Sequence, residues 1–227
     1  MFPYQIAALL FVLIAPALVW WFDRRPHTSH FTRRCERALA LALVLAFLGD
    51  QLAKIADGTF TPAAALPMQL CDWALFAVSA ALWWRWRPGF DVAYFWGLAG
   101  TLQALFTPAV GNDLPWVRIL GFFFMHAGIV AGVVHLMLTA RFRPEWPRSI
   151  VRVLVASEVY LAAALAANAM TGGNYGFLSH KPVTRSMLDL FSSTPWLYVL
   201  EINLFAWLFF ALLYLPWFIV DMRRPRR

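Results

Sequence analysis

The stretch LPMQLCDWALFAVSAALWW, Leu66 to Trp84, is followed directly by Arg85. It places a thiol and a carboxylate, Cys71 and Asp72, at the head of an apolar run. By periodicity alone such a run is either a buried core helix or a membrane span, and the rest of the chain decides which.

Of the 227 residues, 61 % are hydrophobic and only 14 % charged. With a mean hydropathy of +0.62, that composition is too apolar for a water-soluble domain and fits a polytopic membrane protein. The 12 tryptophans fit the same class, because indole favours the membrane interface. Seven apolar spans are read, over residues 4–22, 37–56, 68–84, 92–107, 116–139, 149–170 and 196–220, against the ~20 helical residues a hydrocarbon core needs. The fourth is the weakest, being short and interrupted by Gly97 and Gly100. The expected fold is all-α: a polytopic membrane helical bundle in which residues 1–227 form one transmembrane domain. The first run lacks a basic leader and is followed by Arg24 and Arg25, so it does not read as a signal peptide.

Charge sets the expected orientation. Arg24, Arg25, Arg33, Arg34 and Arg37 lie in or beside the first connection, Arg85 and Arg87 in the third, Arg141, Arg143, Arg148 and Arg152 around the fifth, and Arg223, Arg224, Arg226 and Arg227 in the tail. With seven spans these 15 of the 19 basic residues share one side. The positive-inside rule makes that side cytoplasmic, the N-terminus external and the C-terminus cytoplasmic. The net charge of +7 then reflects topology and gives no reason to expect nucleic acid. Cys35 and Cys71 fall on opposite sides and cannot pair.

Counting along the spans gives each polar residue a depth. Asp50 and Lys54, Cys71 and Asp72, Gln103, His126, Asn168, Glu201 and Asn203 all converge on the outer half. The inner half reads as nearly bare, with Glu158 and His135 as exceptions, and His135 faces away from His126. Ionisable groups are costly in hydrocarbon and should face one another or a wet cavity. Each also has a plain structural role. Asp50 and Lys54 make an i, i+4 ion pair, and Asp72 suits the positive end of a helix dipole. Gln103 and Asn168 suit interhelical hydrogen bonds, a lone histidine suits a partner such as Glu201, and a lone cysteine suits apolar filling. Their convergence at one level reads as a pocket. The loop 171–195, TGGNYGFLSHKPVTRSMLDLFSSTP, is the longest polar connection and reads as an outer lid. Gly172 and Gly173 release it from the sixth span, and Asn174, Tyr175, Lys181 and Asp189 are its candidate pocket residues.

A cysteine attacks as its thiolate, which a helix N-terminus or a nearby histidine favours. Cys71 has the first by position and His126 is the candidate for the second. Acyl transfer follows: Cys71 attacks an ester, His126 carries the proton, and Asp72, Asn174 or a loop amide orients the ring or holds the oxyanion. In the first connection His27, His30 and Cys35 lack a fourth ligand at zinc spacing and read as a solvated basic loop, so no metal or other cofactor is expected.

Four motifs in order, LPMQLCDWALF, QALFTP (Gln103 to Pro108), FFFMHAGIV (Phe122 to Val130) and NYGFLSHKP (Asn174 to Pro182) with SMLDLF after it, resemble the YwaF-like family of bacterial integral membrane proteins. That family is similar to eukaryotic transmembrane protein 164, an acyltransferase acting on ether phospholipids through a Cys–His pair. The resemblance implies that Cys71 and His126 match the pair, that membrane phospholipid is the partner, and that the chain resides in a bacterial inner membrane. The bacterial pattern often has a histidine where Gln69 stands here, so Gln69 joins the candidate pocket residues without that chemistry. Two other classes compete. A transporter or channel offers the same intramembrane charges but needs access from both sides. A structural or sensory seven-helix protein needs no site at all.

Overall fold

The computed structural model describes residues 2–24, 29–108, 115–182 and 186–223, and all regular structure among them is helical. Seven long stretches follow one another: α1 (Phe2–Asp23), α2 (Ser29–Ala56), α3 (Leu70–Trp84), α4 (87–106), α5 (Trp116–Thr139), α6 (Arg148–Thr171) and α7 (Pro195–Met222). Helix α4 is composite. It is α-helical over Arg87–Trp96, takes a π turn over Gly97–Thr101 and is α-helical again over Leu102–Phe106. The π turn falls on the two glycines that weakened this span in the sequence.

Five helices are long and apolar enough to cross a membrane: Pro3–Asp23, His30–Ala56, Trp116–Thr139, Arg148–Thr171 and Pro195–Met222. The chain is therefore a multi-pass membrane protein. Helix α3 has only 15 residues, about 22 Å at 1.5 Å per residue, against a hydrocarbon core of about 30 Å. Its expected first turn is absent because residues before Leu70 run extended: Gln69 has φ −75° and ψ 148°.

The helix ends alternate between two faces of the bundle. At one end Glu36 is fully buried and receives Arg85 Nε at 3.2 Å and Nη2 at 2.9 Å, with Arg33 and, at 3.5 Å, His135 Nε2 beside it. Arg33 also donates to Leu82 O and Trp83 O, the free carbonyls at the end of α3. Asp91 accepts from Arg152 at 2.6 Å and from Ser149 at 2.8 Å, and Arg143 pairs with Asp221 at 2.7 Å. The end of the bundle expected to be nearly bare thus carries buried, paired charge. Glu36 and Asp91 belong to helices that begin one to two turns before the apolar runs. Charges at that level are tolerated because each is paired.

Helix α5 is the centre, with 61 % of its most apolar stretch buried against 11–22 % in the other four spans. Small residues let neighbours come close. A Cβ on Gly128 would stand 2.6 Å from Leu43 Cδ2, and one on Gly132 2.8 Å from Val78 Cγ2. Thus α2 and α3 press on one side of α5. On another, Ala8 and Val12 of α1 pack with Phe123, Ala127 and Val130. Ile129 and Val133 face the π turn at Gly97.

Candidate functional site

The extended segment before Cys71 is fastened residue by residue. Leu66 N donates to Tyr175 Oη at 3.0 Å, and Tyr175 Oη donates to Pro62 O at 2.5 Å. Pro67 O accepts from Trp73 Nε1 at 3.0 Å, Met68 O from Tyr160 Oη at 3.1 Å, and Gln69 Oε1 from Gly176 N at 3.1 Å. Burial pushes the Tyr175 phenol above its ordinary value, so it stays protonated and able to donate. Tyr175 is itself gripped by Asn168, whose Oδ1 accepts from Tyr175 N at 2.7 Å and whose Nδ2 donates to Tyr175 O at 3.1 Å. Gly176 has φ +64°, and a Cβ there would stand 2.6 Å from Tyr160 Oη; only glycine fits. Trp73, Trp96 and Tyr160 pack tilted and edge-on around the same segment with ring centroids 5.4–6.4 Å apart.

Asp72 Oδ2 accepts from Gln69 N at 3.1 Å and so caps α3. Its neighbour Cys71 is half-buried and makes no hydrogen bond to His126. The positions of the two residues follow from register. Helices α3 and α5 run the same way, since Glu36 meets both Arg85 at the end of one and His135 near the end of the other. Gly132 lies against Val78 and Leu82. An offset of roughly 50–54 residues therefore brings α3 and α5 level, setting Cys71 beside residues 121–125 and His126 about 2–8 Å deeper. Cys71 is seven residues before Val78 and so shares the α3 face turned toward α5. His126 lies on the stripe of Ile129 and Val133, turned toward the π turn of α4.

The His126 ring is nearly buried, 6 % exposed. Nδ1 lies 2.8 Å from Phe122 O, and the ring rests on Phe122 with centroids 4.0 Å apart. A carbonyl oxygen only accepts, so Nδ1 carries the proton, and in the neutral ring Nε2 holds the lone pair.

The remaining candidates are placed in the loop or at its edges. Asn174 is spent inside the loop: Oδ1 accepts from Ser179 N and His180 N, and Nδ2 donates to His180 O. It does not orient His126. Lys181 Nζ donates to Phe191 O at 2.5 Å, Asp189 Oδ2 accepts from Ser186 N at 2.9 Å, and Glu201 Oε2 accepts from Ser192 N at 2.6 Å. Gln103 Nε2 reaches Met187 Sδ at 3.7 Å. These four bind the loop to itself and to α4 and α7. Asp50 and Lys54 form their ion pair at 2.8 Å. Gly172 ends α6 with φ +70°, as its sequence position foretells. Residues 186–191 hold a 3-10 turn at Met187–Leu190, while FLSHKP is helical only up to Phe177. His27 and Arg185 lie outside the described residues. Among the described residues no three of His, Cys, Asp and Glu gather into a metal-binding group.

Sequence reasoning missed Tyr160, Trp73 and Arg118. An aromatic residue within an apolar run carries no mark that separates a site wall from a lipid-facing ring.

A helical bundle with membrane-length spans, carrying a thiol and an imidazole on two neighbouring helices, defines a multi-pass integral membrane protein with a candidate site at one end. The chain belongs to the TMEM164 family, whose model matches residues 2–214. Comparisons with curated proteins and with solved structures each returned no match.

Proposed function

We propose that the chain is a bacterial, YwaF-like acyltransferase of seven spans, with α3 and α4 completing the five longer helices. Its N-terminus is external, its arginine-rich end cytoplasmic, and its site in the outer half of the bilayer. The substrate is a phospholipid acyl ester. Cys71 gives its S–H proton to His126 Nε2 as sulfur adds to the ester carbonyl. The ester C–O bond then breaks, the departing alkoxide takes the proton back, and a thioester remains. An acceptor hydroxyl attacks that thioester, passing its proton through His126 to the thiolate.

The observation that carries this reading is the hydrogen bond from His126 Nδ1 to Phe122 O. It commits the ring to a basic Nε2 about one turn below a thiol on the α5-facing side of α3. Proton transfer across that turn runs by side-chain movement or through one water. Tyr175 and Gly176 fasten the start of the loop after α6 onto Leu66 and Gln69 beside the thiol, which supports a cover against water.

The test is lipid analysis of cells carrying Cys71→Ala or His126→Ala. Both should lack the same acyl species, and a lipid-like electrophile should add to Cys71 by intact mass. Unchanged lipids in both variants would sink the enzymatic reading.

A further inference from the structure

We infer that Arg118 and Lys54 form a phosphate site, the seat of the headgroup of the phospholipid whose ester Cys71 attacks; this rests on the acyl-transfer reading above. The geometry starts from Phe47 of α2 and Phe76 of α3, whose rings meet edge to face at 5.1 Å. One turn toward the Cys71 end on each helix stand Asp50 and Asp72, three residues after Phe47 and four before Phe76. Lys54 follows one turn beyond Asp50 and pairs with it at 2.8 Å.

Arg118 projects into the same corner from the first turn of α5. It is held but not satisfied. Its Nε is 3.5 Å from Asp50 Oδ1 and its Nη1 3.7 Å from Asp57 Oδ2. Its Nε is buried without a hydrogen-bond partner. Arginines at the other end of the bundle close on their carboxylates at 2.5–2.9 Å, about the range of charge-assisted bonds. The Arg118 side chain is only 17 % exposed. A guanidinium offers a planar fork of five donors suited to phosphate oxygens, and among the described residues no carboxylate approaches that fork closer than 3.5 Å.

The corner opens to the surface at Asp57. Asp57 is 43 % exposed and lies beyond the end of α2. If it swings aside, the charges of Lys54 and Arg118 are matched by those of Asp50 and Asp72, and the N-terminus of α5 tips the balance positive. Trp116, in the same turn, is 65 % exposed, as befits an interfacial anchor at headgroup level. The register places Arg118 about 5–10 Å above Cys71, and His126 about 2–8 Å below it. A glycerophospholipid has only its glycerol between phosphate and acyl ester. A phosphate on Arg118 therefore delivers the ester to the thiol.

Binding to the Cys71→Ala protein in detergent, followed by native mass spectrometry, tests this without turnover, so a failed acyl-transfer reading does not affect the result. The probes are dihexanoylphosphatidylglycerol, the phosphate-free dihexanoylglycerol, and inorganic phosphate as competitor. The phospholipid should bind roughly tenfold or more tightly than the phosphate-free lipid, as expected for hydrogen bonds to a charged group. Arg118→Ala should erase that preference, Arg118→Lys should keep part of it, and Asp57→Asn should strengthen it. Equal binding of the two lipids, an unchanged preference in Arg118→Ala, or a weaker one in Asp57→Asn would overturn the site. Inorganic phosphate binding as tightly as the phospholipid would overturn the headgroup assignment.

Discussion

Asn168 holds Tyr175 by both main-chain groups at once, accepting from its N–H at 2.7 Å and donating to its C=O at 3.1 Å. The phenol of Tyr175 in turn pins Leu66 and Pro62. The last turn of α6 thus controls the shape of the chain leading into Cys71.

Asn168→Ala should therefore act at a distance. It leaves two buried main-chain groups unpaired, at about 1–3 kcal/mol each. The expected outcome is a melting temperature lowered by several degrees and faster alkylation of Cys71 by a water-soluble maleimide. A maleimide rate equal to that of the unmodified protein would show that the clamp does not govern access.

Asp72 separates a cap from a catalyst. Its Oδ2 accepts from Gln69 N, a role the amide oxygen of asparagine can fill. Asp72→Asn should keep both stability and lipid turnover, whereas Asp72→Ala should cost about 1 kcal/mol. Loss of turnover in a stable Asp72→Asn protein would assign the charge to the chemistry.

The Asp50–Lys54 pair should respond asymmetrically. Its side chains are 23 % and 18 % exposed, so Lys54→Met leaves the largely buried Asp50 only the longer 3.5 Å approach of Arg118, at a cost of up to about 3 kcal/mol. Lys54→Met alone should lower the melting temperature more than Lys54→Met combined with Asp50→Leu. A double variant no more stable than the single one would count against the pair as a structural element.

Topology is open to cysteine-accessibility mapping. In a Cys35→Ser, Cys71→Ala background, cysteines at positions 60 and 178 should both label from outside intact cells. Labelling from opposite sides would refute the seven-span arrangement.

Hydropathy made most of the helices legible. The expected span 116–139 is the helix Trp116–Thr139 itself, and the exit at Gly172 was readable from its glycine. The start of α2 was not, because Arg33, Arg34, Glu36 and Arg37 read as loop. Their helix forms because Glu36 finds Arg85, 49 residues away, and no local pattern reveals that partner. The candidate site was legible as a level and not as contacts. Depth can be counted along a span, but which face each residue presents depends on how α3, α4 and α5 pack. Arg118 was passed over because an arginine near a helix end ordinarily reports topology.

The clamp around the Cys71 approach also has a timetable. Leu66 and Tyr175 are 109 residues apart, and a ribosome adds roughly 5–20 residues per second. For roughly 5–20 seconds of its synthesis, each molecule holds the Cys71 segment without the tyrosine that shapes it. The nascent thiol is thus assembled first and roofed last. A chain stalled before α6 is complete would present that cysteine bare to any oxidant or electrophile at the membrane surface.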